Sequence, residues 1–190
     1  MAQEANKELH EPQVTNRSSL GLLQVYTGEG KGKTTSALGQ ALRAIGHGLR
    51  VLVIQFMKGR PTGEIVASKQ LEPYLTILQY GSPRFVFGRK PEEGEIELAR
   101  SGLERAREAL EKRECDMLVL DELNVALSAG LLELKQVLEL LQNRPPGIEI
   151  VVTGRNAPPE LVELADLVSE VRLVKHPFQK SIPARKGTEF

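Results

Sequence analysis

Residues 22–37 read LLQVYTGEGKGKTTSA, and this stretch decides the fold. Leu22, Leu23, Val25 and Tyr26 give a short apolar run of the kind a buried strand needs. Glycines at 28, 30 and 32 break it, and Lys33-Thr34-Thr35 open a helix. A glycine turn between a strand and a helix points backbone N–H groups inward at an anion, with a lysine for the distal phosphates and a hydroxyl for Mg²⁺. Glycine is required because the turn takes conformations closed to other residues and brings the backbone close to the anion. The standard spacing asks for glycine at 27, where Thr27 stands, so the loop is one residue tighter than the usual form. Thr27, Gly28, Glu29, Gly30, Lys31, Gly32, Lys33, Thr34 and Thr35 are therefore the expected nucleotide-binding residues, with Thr34 as the metal-linked hydroxyl.

A dinucleotide fingerprint competes for the same glycines. It needs a third glycine at 33, where lysine stands, and an acid near the end of the second strand to hold a ribose. The second apolar run ends in Gln55-Phe56-Met57-Lys58, and the next acid is Glu64. Both requirements fail, which leaves a nucleoside triphosphate as the ligand.

Working outward, apolar runs and helical patterns alternate. Residues 33–44 form a helix closed by Gly46-His47-Gly48, and strands follow at 51–56 and 75–80. Residues 57–74 read as a connection and 81–94 as a loop. Residues 95–113 form an amphipathic helix with Ile96, Ala99, Leu103, Ala106 and Leu110 on one face. A buried strand at 117–120, a helix at 132–142, a strand at 148–153, a helix at 159–165 and a strand at 168–174 complete the order. This alternation predicts an α/β, P-loop NTPase-like fold, a mostly parallel sheet with helices on both faces. Residues 1–19 carry few apolar positions and read as a mobile arm before one domain at 20–190.

Composition narrows the class. At 190 residues with 41% hydrophobic and 26% charged content, the chain can bury a core without staples. Lys plus Arg equals Asp plus Glu at 25 each, a balance that argues against nucleic acid as the main partner. The single Cys115 permits no internal disulfide and suits a reducing cytosol. No apolar run nears 18 residues and the first twenty are polar, so a cytoplasmic protein without a membrane partner is expected.

Asp121-Glu122 ends the apolar run Met117–Leu120. In a parallel sheet the strand C-termini line the ligand crevice, so a carboxylate there can reach the metal beside the phosphates. Spacing does not choose between Asp121 and Glu122. Arg155, in Thr153-Gly154-Arg155, ends another strand at that edge and reads either as an anion contact or as a solvated loop residue. Phe85 and Phe87, in a chain with 4% aromatics, read either as anchors of their loop or as a wall for a large apolar ligand. The histidines, at 10, 47 and 176, have no ligand-like spacing and no serine or cysteine partner. No residue stands out as nucleophile or base, which leaves Lys33 as an electrostatic stabiliser.

Four blocks then resemble one family, the ATP:corrinoid adenosyltransferases. They are TGEGKGKTT (27–35), VLDELNVAL (119–127), VVTGRNAPPELVELADLVSEV (151–171) and VKHPFQKSIPARKGTEF (174–190), with RAIGHG (43–48) and VIQFMKG (53–59) beside them. Thr27 in the tightened loop is the form seen in that family. The resemblance implies transfer of the 5′-deoxyadenosyl group of ATP to the cobalt of a reduced corrinoid, with triphosphate as leaving group and Mg²⁺ at the phosphates. It also implies a homodimer, an N-terminal helix that can cover the partner's active site, and an electron donor such as a flavodoxin. Phe85 and Phe87 match a Phe-x-Trp pair that lies beneath the corrin ring in the family, with phenylalanine here in the second position. Residues 1–19 look less helical than the family's lid. A small phosphotransferase and a regulatory ATPase are the alternative readings; the first would release ADP and the second would ignore corrinoids.

Overall fold

The computed structural model describes residues 17–82 and 89–189. Its apolar runs form six strands: β1 (Leu23–Thr27), β2 (Val51–Gln55), β3 (Leu75–Gln79), β4 (Met117–Asp121), β5 (Glu149–Thr153) and β6 (Leu167–Glu170). Every pairing is parallel and the order is β3-β2-β4-β5-β1-β6. The sheet is thus wholly parallel where a mostly parallel one was expected.

Four of these strands have both faces covered, which is why their sequences run apolar without alternation. On one face Leu23, Val25, Leu52, Ile54, Leu118, Leu120, Ile150 and Val152 pack against α3 (Glu93–Glu111) and α5 (Leu134–Gln142). On the other, Val51, Val53, Met117, Val119 and Val151 meet Ala37, Ala41 and Ala44 of α1 (Lys33–Gly46). Alanines at these positions let α1 lie close to the sheet, so the loop that precedes it sits at the ends of the central strands. In α3 the expected face is buried at Ala99, Leu103, Ala106 and Leu110. That helix starts two residues before the expected Glu95, because the Glu95 carboxylate accepts the Glu92 N–H at 2.9 Å and satisfies a free donor of the first turn.

Further differences have local causes. Two six-residue helices, α2 (Gly63–Ser68) and α4 (Leu123–Ser128), were not expected, since six residues are too few for a helical period to declare itself. The helix α6 (Pro159–Leu164) follows its expected bounds to within a residue. The last strand, expected over 168–174, stops at Glu170, because Val171 turns its carbonyl onto the glycine loop and accepts the Gly30 N–H at 2.7 Å.

Cys115, just before β4, is buried, and burial together with the Asp116 carboxylate pushes its thiol up to about 12. It is a packed, protonated side chain at the end of β4 remote from Asp121. Among the described residues no helix is long and apolar enough to cross a membrane.

Candidate active site

Thr27, Gln55, Asp121 and Thr153 end four neighbouring strands on the same edge of the sheet. The loop 28–32 leaves β1 there and delivers Lys33 and Thr34 into the first turn of α1. Gly28 and Gly32 hold φ of 95° and 125°, left-handed values that favour glycine. Gly30 is needed for space, since a Cβ there would stand 2.7–2.8 Å from the backbone of Val171 and Arg172. Thr27, the residue in place of the usual glycine, uses its hydroxyl to accept the Ala157 N–H at 3.2 Å and so ties the turn after β5 to the glycine loop.

Lys33 is only 6% exposed, and its Nζ donates to the carbonyls of Gly28 (2.6 Å) and Gly30 (2.7 Å). Burial lowers its pKa, with the Glu122, Glu29 and Asp121 carboxylates acting against that and Arg155 with it. The ammonium therefore stands at the loop in a partly desolvated setting, where a charge acts more strongly than in water.

Asp121 is fully buried and each of its oxygens takes two donors. Oδ1 accepts from Thr34 Oγ1 (2.8 Å) and Thr153 Oγ1 (2.7 Å). Oδ2 accepts from Gln55 Nε2 and Lys58 Nζ, both at 3.1 Å. Lys58 also reaches Glu64 Oε1 at 3.2 Å; burial alone would depress its pKa, but the Asp121 and Glu64 charges outweigh it and raise the ammonium above its ordinary value. Glu122 differs from its neighbour. It sits half-buried at φ 60°, its N–H donates to Thr153 Oγ1 at 3.0 Å, and its side chain borders the cavity. Burial and the Asp121 charge raise its pKa, while Lys58, Lys33 and Arg155 pull it back. A non-glycine residue in the left-handed region at such a place is backbone strain of the kind that clusters at functional sites.

These side chains surround one cavity of about 710 Å³, bordered by Lys33, Thr34, Lys58, Glu64, Glu122 and Arg155. It runs along α1 past Thr35 and Leu38 to Leu42. Arg155 pairs with Glu29 at 2.9 Å at the exposed rim. Lys31, at the tip of the loop, donates to Glu189 at 2.9 Å. The structure thus brings together the glycine loop, Lys33, Thr34, Asp121, Glu122 and Arg155. Phe85 and Phe87 lie outside the described residues, as does most of the arm.

Gln55, Lys58 and Thr153 were not singled out from sequence. Gln55 had a signal, being the polar end of the run VLVIQ; Thr153 had none, because its reach to Asp121 depends on β5 lying beside β4. Chemically, the loop amides and Lys33 can hold a polyphosphate. The Thr34 hydroxyl and the two carboxylates are hard oxygen donors of the type Mg²⁺ takes. Among the described residues no three His, Cys, Asp or Glu side chains converge as a closed metal cage. A two- or three-oxygen set instead suits a cation that keeps phosphate oxygens among its ligands.

The model of the family "ATP:corrinoid adenosyltransferase BtuR/CobO/CobP" matches residues 19–190. A corrinoid adenosyltransferase of Pseudomonas aeruginosa is 41% identical over 175 residues, covering 92% of this chain and 86% of the relative. One from Escherichia coli is 38% identical over 171 residues, covering 90% and 86%. Among solved structures, the flagellar accessory protein FlaH of Methanocaldococcus jannaschii superposes with a TM-score of 0.52 at 13% identity, over 81% of this chain and 74% of that one. That likeness is one of fold alone.

Thr153→Val tests the geometry. It removes the hydroxyl that serves Asp121 and Glu122 together, leaving a buried acceptor short of one donor and a backbone N–H without its acceptor. Urea unfolding should show a loss of about 1–3 kcal/mol, whereas Thr153→Ser should stay close to the unaltered chain.

Proposed function

The chain belongs to the ATP:corrinoid adenosyltransferase family, and from that premise we propose that its cavity holds ATP with C5′ presented to the Co(I) of a reduced corrinoid. The observation that carries this reading is the assembly of Lys33, Thr34 and the Asp121-Glu122 pair around the glycine loop at one edge of the sheet.

The overall reaction is a displacement at carbon. The electron pair of Co(I) forms the Co–C5′ bond while the C5′–O bond breaks, and triphosphate leaves with the electron pair of that broken bond. Co(I) is a very strong nucleophile, so the protein has no need of a base or nucleophile of its own. Its work is to hold C5′ in line with cobalt and to stabilise charge on the leaving group. Lys33, the N–H groups of loop 28–32 and the N-terminus of α1 supply that stabilisation. Asp121 accepts a hydrogen bond from the Thr34 hydroxyl, which leaves the Thr34 oxygen lone pairs free for a cation in the cavity that Thr34 borders. We assign Thr34 and Glu122 to face a Mg²⁺ ion, with Asp121 behind Thr34. When bound, the ion neutralises part of the triphosphate charge.

Phe85 and Phe87 are read as the apolar wall beneath the corrin ring. A wall without ligand atoms strips the lower axial ligand from Co(II) and makes its reduction to Co(I) easier. We further place the enzyme in the cytoplasm as a homodimer, with residues 1–19 as an arm before a catalytic domain at 20–190. An electron donor such as a flavodoxin would supply the electron that reduces Co(II) to Co(I).

An anaerobic reaction of ATP, Mg²⁺ and chemically reduced cobalamin tests the reading. Adenosylcobalamin and inorganic triphosphate are expected; ADP as product would point to phosphoryl transfer instead. Lys33→Ala should cut turnover roughly a hundredfold at saturating ATP, the effect of losing about 3 kcal/mol of charge stabilisation at the transition state, with the fold retained by circular dichroism. The double variant of Phe85→Ala and Phe87→Ala should lose far more activity from Co(II) with a mild reductant than from Co(I) prepared beforehand. Equal losses in the two assays would make these residues anchors of their loop.

A further inference from the structure

Beyond β6 the chain does not leave the active site. Val171 and Arg172 cross the glycine loop, where the Val171 carbonyl accepts the Gly30 N–H at 2.7 Å and leaves no room for a side chain at Gly30. The segment then passes through a short turn at Pro177–Lys180 and a left-handed Ser181, and comes back to the same loop. At its return Lys31 Nζ donates to the Thr188 carbonyl at 3.1 Å and to Glu189 Oε1 at 2.9 Å. His176, Gly187, Thr188 and Glu189 border the cavity that holds Lys33, Thr34 and Glu122. Glu189 is itself held in place: its carboxylate accepts from the backbone N–H, Nε and an Nη of Arg185 at 2.8, 3.2 and 3.0 Å, and from Thr188 Oγ1 at 2.6 Å. A loose tail would not converge this many donors on one side chain.

The charge of this segment matches a polyphosphate. Residues 171–189 carry Arg172, Lys175, Lys180, Arg185 and Lys186 against one carboxylate, Glu189. That carboxylate is spent on Arg185 and Lys31, so the cluster of the three keeps a net positive charge at the cavity mouth.

We propose that the C-terminal segment His176–Glu189 is a wall of the ATP cavity, and that Glu189 is a positioning residue that holds Lys31 at the mouth for the triphosphate. The proposal rests on the reading of this cavity as the ATP site. It gives the basic C-terminal block a function in binding ATP. Glu189 acts through Lys31: without it, the loop-tip ammonium keeps only the neutral Thr188 carbonyl, and the wall loses its charged tie to the loop.

The test is ATP affinity in the presence of Mg²⁺, measured by titration calorimetry on the full chain. Lys31→Ala and Glu189→Ala should each weaken ATP binding about tenfold, the scale of one charge-assisted contact. The double variant should bind no more weakly than Lys31→Ala alone, because a residue that acts through another has nothing left to lose once that other is gone. Glu189→Gln, which keeps a hydrogen-bonding oxygen without the charge, should fall between the unaltered chain and Glu189→Ala. In turnover the loss should appear in KM for ATP and not in KM for the corrinoid. Losses that add in the double variant, or ATP affinity unchanged in Glu189→Ala, would overturn the proposal. Lys33→Ala separates the two readings: if it loses ATP while Glu189→Ala does not, the ATP site stands and the wall falls. If the unaltered chain fails to bind ATP, both fall.

Discussion

The Asp121 carboxylate is the point on which the site depends. A charge buried without partners would cost several kcal/mol, so its four donors are a structural obligation as well as a convenience. Those donors come from four different parts of the chain: Thr34 from α1, Thr153 from β5, Gln55 from β2, and Lys58 from the segment after β2. Meeting them fixes the heights of the strand ends and the position of the first turn of α1. It also sets the direction of the Thr34 hydroxyl, and so decides which atoms of α1 meet a ligand. The neighbouring Glu122, forced into a left-handed backbone by the start of α4, is turned toward the cavity instead.

This arrangement suits a reaction in which the substrate supplies the nucleophile. Lys33 is held by loop carbonyls rather than by a carboxylate, so a phosphate oxygen that takes it need not break an ion pair. Lys58, by contrast, is committed to Asp121 and Glu64 and serves to keep the carboxylate in place. Two lysines that border the same cavity thus have different duties, set by whether their partners are neutral or charged. The environment is one of fixed dipoles and charges, which reorganise little as triphosphate departs.

Much of this was legible in the sequence because it is local. The glycine loop, the opening of α1 and the acids that end β4 are each contiguous motifs, and the resemblance in four blocks agrees with the family match. What stayed hidden is what strand order creates. Nothing in the spacing of Thr153 says that β5 lies between β1 and β4, yet that placement makes it a partner of Asp121. The early end of β6 and the return of the C-terminal segment were hidden for the same reason. They follow from where Gly30 and Lys31 sit in space, not from the pattern of residues 168–189. The short helices α2 and α4 escaped because six residues carry too little period to distinguish helix from connection.

If Asp121 orients Thr34 toward a cation, the affinity of the ATP-loaded Asp121→Asn variant for Mg²⁺ should report it. Asparagine keeps the shape but adds an NH₂ donor that can turn the Thr34 hydroxyl into an acceptor and take its lone pair from the cavity. Titration calorimetry should then show Mg²⁺ bound about 10–100-fold more weakly, the usual cost of losing a residue that orients a ligand, in a chain whose circular dichroism is unchanged. Mg²⁺ affinity equal to that of the unaltered chain would mean that Asp121 does not orient Thr34 for the ion.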